Sequence, residues 1–252
     1  MLLMKQKKYF CIRFYSPGMS NSWFRFKRFL VNQEDCAMKV GTDGVLLGAW
    51  FPMESGKSVL DIGTGTGLIA LMAAQRGAES VIGVEIDPDA AEQAHQNVLH
   101  SPWADRITIR CTDISDFTAE SGFDRIVCNP PYFRDSLRCP DAGRNTARHN
   151  DSLSYETLAW RSADLLAADG LLCVVLPYDA VDVFAKCASI AGLNMCRRTD
   201  VITAPGKTPK RSLLAFGKLD FELRKDVLTM CDSDGKETSD YIELVKVFYL
   251  KF

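Results

Sequence analysis

No acidic residue precedes Glu34, although Lys5, Lys7, Lys8, Arg13, Arg25, Lys27 and Arg28 place seven positive charges in that stretch. No apolar run approaches the roughly 18 to 20 residues that a membrane-spanning helix requires. The basic start Met1-Leu2-Leu3-Met4-Lys5 lacks the apolar core and small-residue cleavage site that would make it a secretory signal. Histidine is scarce, and His95, His100 and His149 form no ligand constellation. The nine cysteines are odd in number and include no Cys-x-x-Cys pair, and Cys128 and Cys173 lie inside apolar runs. Reduced thiols explain them better than a disulfide framework or a zinc site. The reading therefore contains no metal centre, export signal or membrane anchor. What is present is a chain of 252 residues, 47% hydrophobic and 25% charged, with net charge −2, which suits one globular α/β domain. Overall charge does not mark a nucleic-acid binder; the basic N-terminal stretch is either a solvated tail or a contact for a polyanion.

Residues 1–22 have no clear period and read as a flexible leader, with Met19 as a candidate translation start that an N-terminal peptide map would test. Residues 23–30 alternate aromatic and basic side chains, which predicts a strand with one buried and one wet face. Residues 36–50 predict a short strand, a turn at Gly41-Thr42-Asp43-Gly44 and an apolar helix ending near Trp50. From Ser58 onward, strands are expected at 58–62, 80–85, 106–111, 123–128 and 170–176, and helices at 67–76, 88–100, 152–168 and 178–191. Short apolar runs alternating with amphipathic stretches imply parallel strands joined by right-handed crossovers. Strands at 194–202 and 211–219 are expected to form a closing hairpin on one sheet edge, followed by a polar turn at 232–238 and an amphipathic helix from Asp240 to Phe252. Residues 23–252 thus read as one catalytic domain, with 23–50 as an N-terminal strand-turn-helix elaboration.

Val59-Leu60-Asp61-Ile62-Gly63-Thr64-Gly65-Thr66-Gly67-Leu68 is a buried strand entering a glycine-rich turn at a helix start. A dinucleotide fingerprint needs Gly or Ala three residues after Gly65, where Leu68 stands, and no Lys-Ser/Thr follows to make a P-loop. An acidic residue followed by G-x-G-x-G is instead the pattern of class I methyltransferases, which bind S-adenosylmethionine. Glu85, at the end of the next strand, can accept hydrogen bonds from both ribose hydroxyls. Asp113, after the third strand, is placed to accept from the adenine amine. Each acid alone would be a surface carboxylate or a helix cap, as Asp87 before Pro88 is expected to be. Asp61, Glu85 and Asp113 at the ends of three successive strands make a cofactor site with Gly63, Gly65 and Gly67.

Asn129-Pro130-Pro131-Tyr132 follows the fourth strand. Two prolines remove two backbone donors and stiffen the turn. A planar exocyclic amine is a poor nucleophile because its lone pair is delocalised. The Asn129 side-chain oxygen and the Pro130 carbonyl can accept its N–H bonds and aim that lone pair at a sulfonium methyl, a catalysis of positioning and electrostatics. Tyr132 offers a face on which a planar substrate stacks. As catalytic residues the motif thus supplies Asn129, Pro130 and Tyr132.

Phe24-Arg25-Phe26-Lys27-Arg28-Phe29, the block from Cys36 through Met38 to Trp50, and Ser101-Pro102-Trp103-Ala104-Asp105-Arg106-Ile107 together resemble the bacterial tRNA-1(Val) (adenine-37-N6)-methyltransferases. The resemblance runs from about Trp23 to the C-terminus; the glycine loop and the Asn-Pro-Pro-Tyr are shared with many amino-methyltransferases, whereas the Met38-to-Trp50 block is specific. It implies an α/β, Rossmann-like class I methyltransferase fold: a mostly parallel seven-stranded sheet with helices on both faces and an antiparallel strand near the C-terminus. It also implies that Lys39, Thr42 and Asp43 lie beside the methionine end of the cofactor, where Asn129 joins them. The expected activity is methylation of the N6 amine of adenine-37 in a tRNA anticodon loop, by a cytoplasmic monomer that engages neither DNA nor membrane. A splayed base in a single-stranded loop suits such a site. RNA grip is expected from Arg25, Lys27 and Arg28, and from Arg134, Arg138, Arg144 and Arg148 after the catalytic turn. Residues 1–18 depart from the family.

Other readings stay open at this point. A release-factor glutamine-N5 methyltransferase uses the same tetrapeptide but carries a sizeable helical domain before the glycine loop, which is lacking here. An rRNA guanine-N2 methyltransferase shares the Asn-Pro-Pro. A catalytically idle cofactor- or RNA-binding module would not need Asn129 and Tyr132.

Overall fold

The computed structural model describes residues 21–36, 38–131 and 153–252. The leader through residue 20, Tyr132 and the four arginines 134, 138, 144 and 148 lie outside them.

Continuous Val, Ile and Leu runs build the central strands, buried on both faces as a parallel sheet demands. Strands β3 (Ser58–Ile62), β4 (Ser80–Glu85), β5 (Ile107–Cys111), β6 (Phe123–Cys128) and β7 (Leu166–Pro177) pair in parallel, with β8 (Asn194–Ile202), β9 (Arg211–Gly217) and β10 (Arg224–Thr229) completing the order β10-β8-β9-β7-β6-β3-β4-β5. β9 alone runs antiparallel to its neighbours β7 and β8. The sheet has eight strands rather than the seven expected, and the β8–β9 hairpin is not its edge, because β10 pairs in parallel outside β8. β10 buries only Leu228 among charged neighbours, so it carries no apolar period; charged edge strands resist pairing with other chains.

Alternate side chains of the strands feed two cores. Val59, Val81, Val127, Val175 and Leu213 face α1 (Thr42–Trp50), α2 (Leu68–Gln75) and α6 (Ser239–Val245). Leu60, Val84, Ile126, Val174 and Leu214 face α4 (Tyr155–Leu165) and α5 (Val181–Ile190). The remaining helix, α3 (Pro88–Leu99), crosses between β4 and β5, its N-terminus capped by Asp87.

The expected strand at 23–30 is instead a hairpin of β1 (Trp23–Arg25) and β2 (Leu30–Asn32). No strand forms at 36–40 among the described residues, and Thr42 and Asp43 are the first turn of α1, not a loop. Glycines 44 and 48 mislead in sequence because they serve packing. A Cβ at Gly44 would stand 3.1 Å from Leu68 Cδ2, and one at Gly48 only 2.6 Å from Met72 Sδ, so the two glycines let α1 lie directly on α2. The C-terminal helix is shorter than expected, ending at Val245. Among the described residues, no helix is long and apolar enough to cross a membrane.

Candidate active site

Strand register places the candidate residues in one row. Ile62 pairs with Val84 on one side and Cys128 on the other, so Gly63, Glu85 and Asn129 leave β3, β4 and β6 at the same level. Asp113 follows β5 two residues beyond Cys111, the partner of Glu85. With strands about 4.8 Å apart, the row from β6 to β5 is about 14 Å long at the carboxyl edge of the sheet.

The glycine loop is shaped for a close ligand. Gly63, Gly65 and Gly67 have φ of 67°, 53° and 79°, where other L-residues are strained. A Cβ at Gly63 or Gly65 would meet nothing within 4 Å, so both face open space, whereas Gly67 packs against Ala94 at 3.5 Å. Glu85 ties this loop to the next turn: Oε2 accepts from Gly65 N (2.8 Å), and Oε1 from Ile86 N (2.9 Å) and Asp87 N (3.1 Å). A carboxylate offers about four acceptor positions, so capacity for a ligand hydroxyl remains. Asp113 Oδ1 accepts from Ser115 N at 2.8 Å, leaving its second oxygen for a ligand.

Asp61 is held beneath the glycine loop. Its side chain is 1% exposed and points under the loop, where Oδ2 accepts from Thr64 Oγ1 (2.7 Å) and Ala70 N (3.1 Å). Oδ1 has no partner among the described residues. Burial pushes the Asp61 carboxyl up to about 7 against the opposing effect of those two bonds. Its place is that of a brace for the glycine loop. Asn97, buried on α3, is a second brace that sequence reasoning missed: its Nδ2 donates to Thr66 O (2.9 Å) and Asn32 O (2.8 Å). A polar residue at a buried helical position was the available signal.

At the end of β6, Pro130 is buried, and Asn129 Oδ1 is buried with no hydrogen-bond partner among the described residues. An orphaned buried acceptor is costly and rare. Asn129 Nδ2 approaches Met38 Sδ at 3.8 Å, and a Cβ on Gly44 would stand 3.8 Å from the same nitrogen. Lys39, Thr42 and Asp43 therefore lie on a stretch whose two ends both touch Asn129. Cys36, just before it, is buried with its thiol pushed up to about 11, by burial first and then by Glu85, Asp87 and Asp35. The connection between β2 and α1 thus runs along the carboxyl edge from Glu85 to Asn129. Asp43 is bound by Arg211, Nε to Oδ2 at 2.8 Å, a partner that sequence gave no means of finding.

The N-terminal basic residues do not join this row. Lys27 Nζ donates to Lys246 O (2.8 Å) and Phe252 O (2.6 Å), and Arg28 stacks over Trp103 at 5.1 Å. Trp103 precedes β5, and Gln75 at the far end of α2 bonds Val247 O, so the hairpin tip and C-terminus pack at the amino edge of the sheet. A strand of five or six residues, about 17 to 20 Å, separates that edge from Asn129. Lys27 is spent on the C-terminus, and Arg25 is exposed on the same hairpin.

An open glycine turn, two acids at successive strand ends and an acceptor after β6 that has no partner among the described residues, on this sheet, define a class I methyltransferase that uses S-adenosylmethionine. Residues 36–177 match the model of the methyltransferase small domain family. The chain is 50% identical to the tRNA1(Val) (adenine(37)-N6)-methyltransferase of Bacteroides fragilis over 236 residues, 92% of this chain and 100% of the relative. It is 46% identical to the enzyme of that name from Haemophilus influenzae over 235 residues, 92% and 100% of the two chains. A crystal structure of a predicted O-methyltransferase from Agrobacterium tumefaciens shares the fold, with TM-score 0.65, 20% identity and coverage of 82% of this chain and 96% of that one. The chain belongs to the tRNA1(Val) (adenine(37)-N6)-methyltransferase family.

Proposed function

We propose that the chain methylates the N6 amine of adenine-37 in the anticodon loop of tRNA1(Val), acting in the cytoplasm as a monomer. The observation that carries this reading is the buried Asn129 Oδ1 at the end of β6, without a partner among the described residues, in a chain half identical to relatives of that name.

Bound S-adenosylmethionine supplies an electrophilic methyl group on a sulfonium. Gly63 and Gly65 leave the space it needs, Glu85 accepts from its ribose, and Asp113 accepts from its adenine amine; Lys39, Thr42 and Asp43 line the methionine end beside Asn129. Asn129 Oδ1 and the Pro130 carbonyl accept the two N–H bonds of the target amine and turn its lone pair toward the methyl group. The cofactor would supply its methyl group to that lone pair, keeping the bonding pair on sulfur, and one N–H proton held by Asn129 Oδ1 or the Pro130 carbonyl would leave to water. Tyr132 is assigned the stacking face by its place in the motif. Residues 23–252 act as one catalytic unit, since the β1–β2 hairpin, α1 and α6 share one core with α2.

The test is incubation with labelled S-adenosylmethionine and total tRNA, followed by mass spectrometry of the nucleosides. N6-methyladenosine recovered from a valine tRNA is the expected product. Label in N2-methylguanosine, or in a release-factor glutamine, would replace this reading.

A further inference from the structure

The basic residues of the N-terminal hairpin lie at the amino edge of the sheet, and the carboxyl edge beside β6 carries a surface of its own. Tyr178 follows β7, the neighbour of β6, and is 42% exposed. Cys128 pairs with Val174, so Tyr178 stands three residues, about 10 Å, further along than Asn129 on the adjacent strand. One side of its ring is covered by the Arg198 guanidinium at 5.0 Å. Arg198 is itself fixed, with Nε donating to Asp200 Oδ1 (2.8 Å), which also accepts from Ser212 Oγ (2.6 Å). An aromatic ring backed by a held guanidinium and 42% exposed is a platform on which a base stacks.

The connection between β8 and β9 stands beside it. Residues 203–210, Thr-Ala-Pro-Gly-Lys-Thr-Pro-Lys, contain no acid, and Lys207 and Lys210 are exposed. The loop is ordered by Lys207 N to Ala204 O and Lys210 N to Val201 O, both 3.2 Å, and it is joined to the platform by Tyr178 N to Lys210 O at 3.2 Å. Asp179 and Asp182, exposed just after Tyr178, make that side unfavourable for phosphate. The charges thus assign phosphate to the lysine loop and a base to Tyr178.

We infer that Tyr178, Lys207 and Lys210 form an RNA-contact surface: an unpaired base flanking the target adenine stacks on the exposed ring of Tyr178 while its phosphates lie along the two lysines. The inference rests on the tRNA-methylation reading. Its test is steady-state methylation of an anticodon stem-loop by the full chain and by Y178A, Y178F and K207E/K210E. Y178A is expected to raise KM for the stem-loop about tenfold, with S-adenosylmethionine affinity unchanged and Y178F within about twofold of wild type. The lysine pair is expected to raise KM and to lower the salt slope by about one per lysine, a result independent of whether Y178A folds. Unchanged KM in both variants, with active wild type, overturns the inference alone. Wild type that methylates a protein and no RNA overturns the functional reading and this surface with it.

Discussion

Arg211, at the start of β9, donates from Nε to Asp43 Oδ2 at 2.8 Å and so fixes the first turn of α1 across the sheet. The next residue in α1, Gly44, packs beside Asn129. The pair is partly exposed, so R211M is expected to cost only about 1 kcal/mol of stability by urea unfolding. Displacement of α1 from Asn129 is expected to lower kcat by up to about 10²-fold. D43N/R211M should be no slower than D43N alone, because Arg211 acts through Asp43. Additive losses in kcat would show that the two side chains act separately.

Asp61 gives a pH dependence of known sign. Burial holds its carboxyl at about 7 in the folded chain, against about 3.9 when unfolded. Between those values the folded state binds a proton that the unfolded state has released, so stability from this group is full below about pH 4 and is lost as pH rises through 7. D61N keeps an acceptor for Thr64 and Ala70 N without the buried charge. It is expected to be more stable than wild type at pH 8 by roughly 2 to 4 kcal/mol. In urea unfolding the gap should close by about pH 4; a gap equal at both pH values would remove Asp61 from this role.

Asn129 is assigned an acceptor, and that chemistry is separable from its size. N129A is expected to lower kcat by at least about 10²-fold, the loss typical of one electrostatic contact to the reacting group. N129D retains an acceptor oxygen and should keep more activity than N129A, with both binding S-adenosylmethionine within about tenfold of wild type. Equal activity of N129A and wild type in single-turnover methyl transfer would move the reaction elsewhere.

The alternating core and the site row were legible because both depend on local signals. Buried β-branched runs marked β3 to β6 within a residue, and the glycine spacing, Glu85 and Asp113 marked the strand ends. β10 was not legible, since Leu228 alone among its residues is buried and charges hide an edge strand. Gly41 to Gly44 read as a turn because glycine signals flexibility, whereas Gly44 and Gly48 are where α2 approaches α1. That Asp61 braces the glycine loop was not legible, because sequence shows a residue's type and not which way it points. Nothing local reveals that Lys27 and Arg28 meet the C-terminus and Trp103. Long-range pairs such as Asp43 with Arg211 have no sequence signature.

The central claim is that the exocyclic amine of one anticodon-loop adenine is the acceptor. It is tested most directly with two tRNA1(Val) transcripts, one with adenosine at position 37 and one with purine riboside there, which keeps the ring and lacks the amine. Labelled methyl incorporation into the first and none above background into the second is the predicted result. Equal incorporation into both would contradict it.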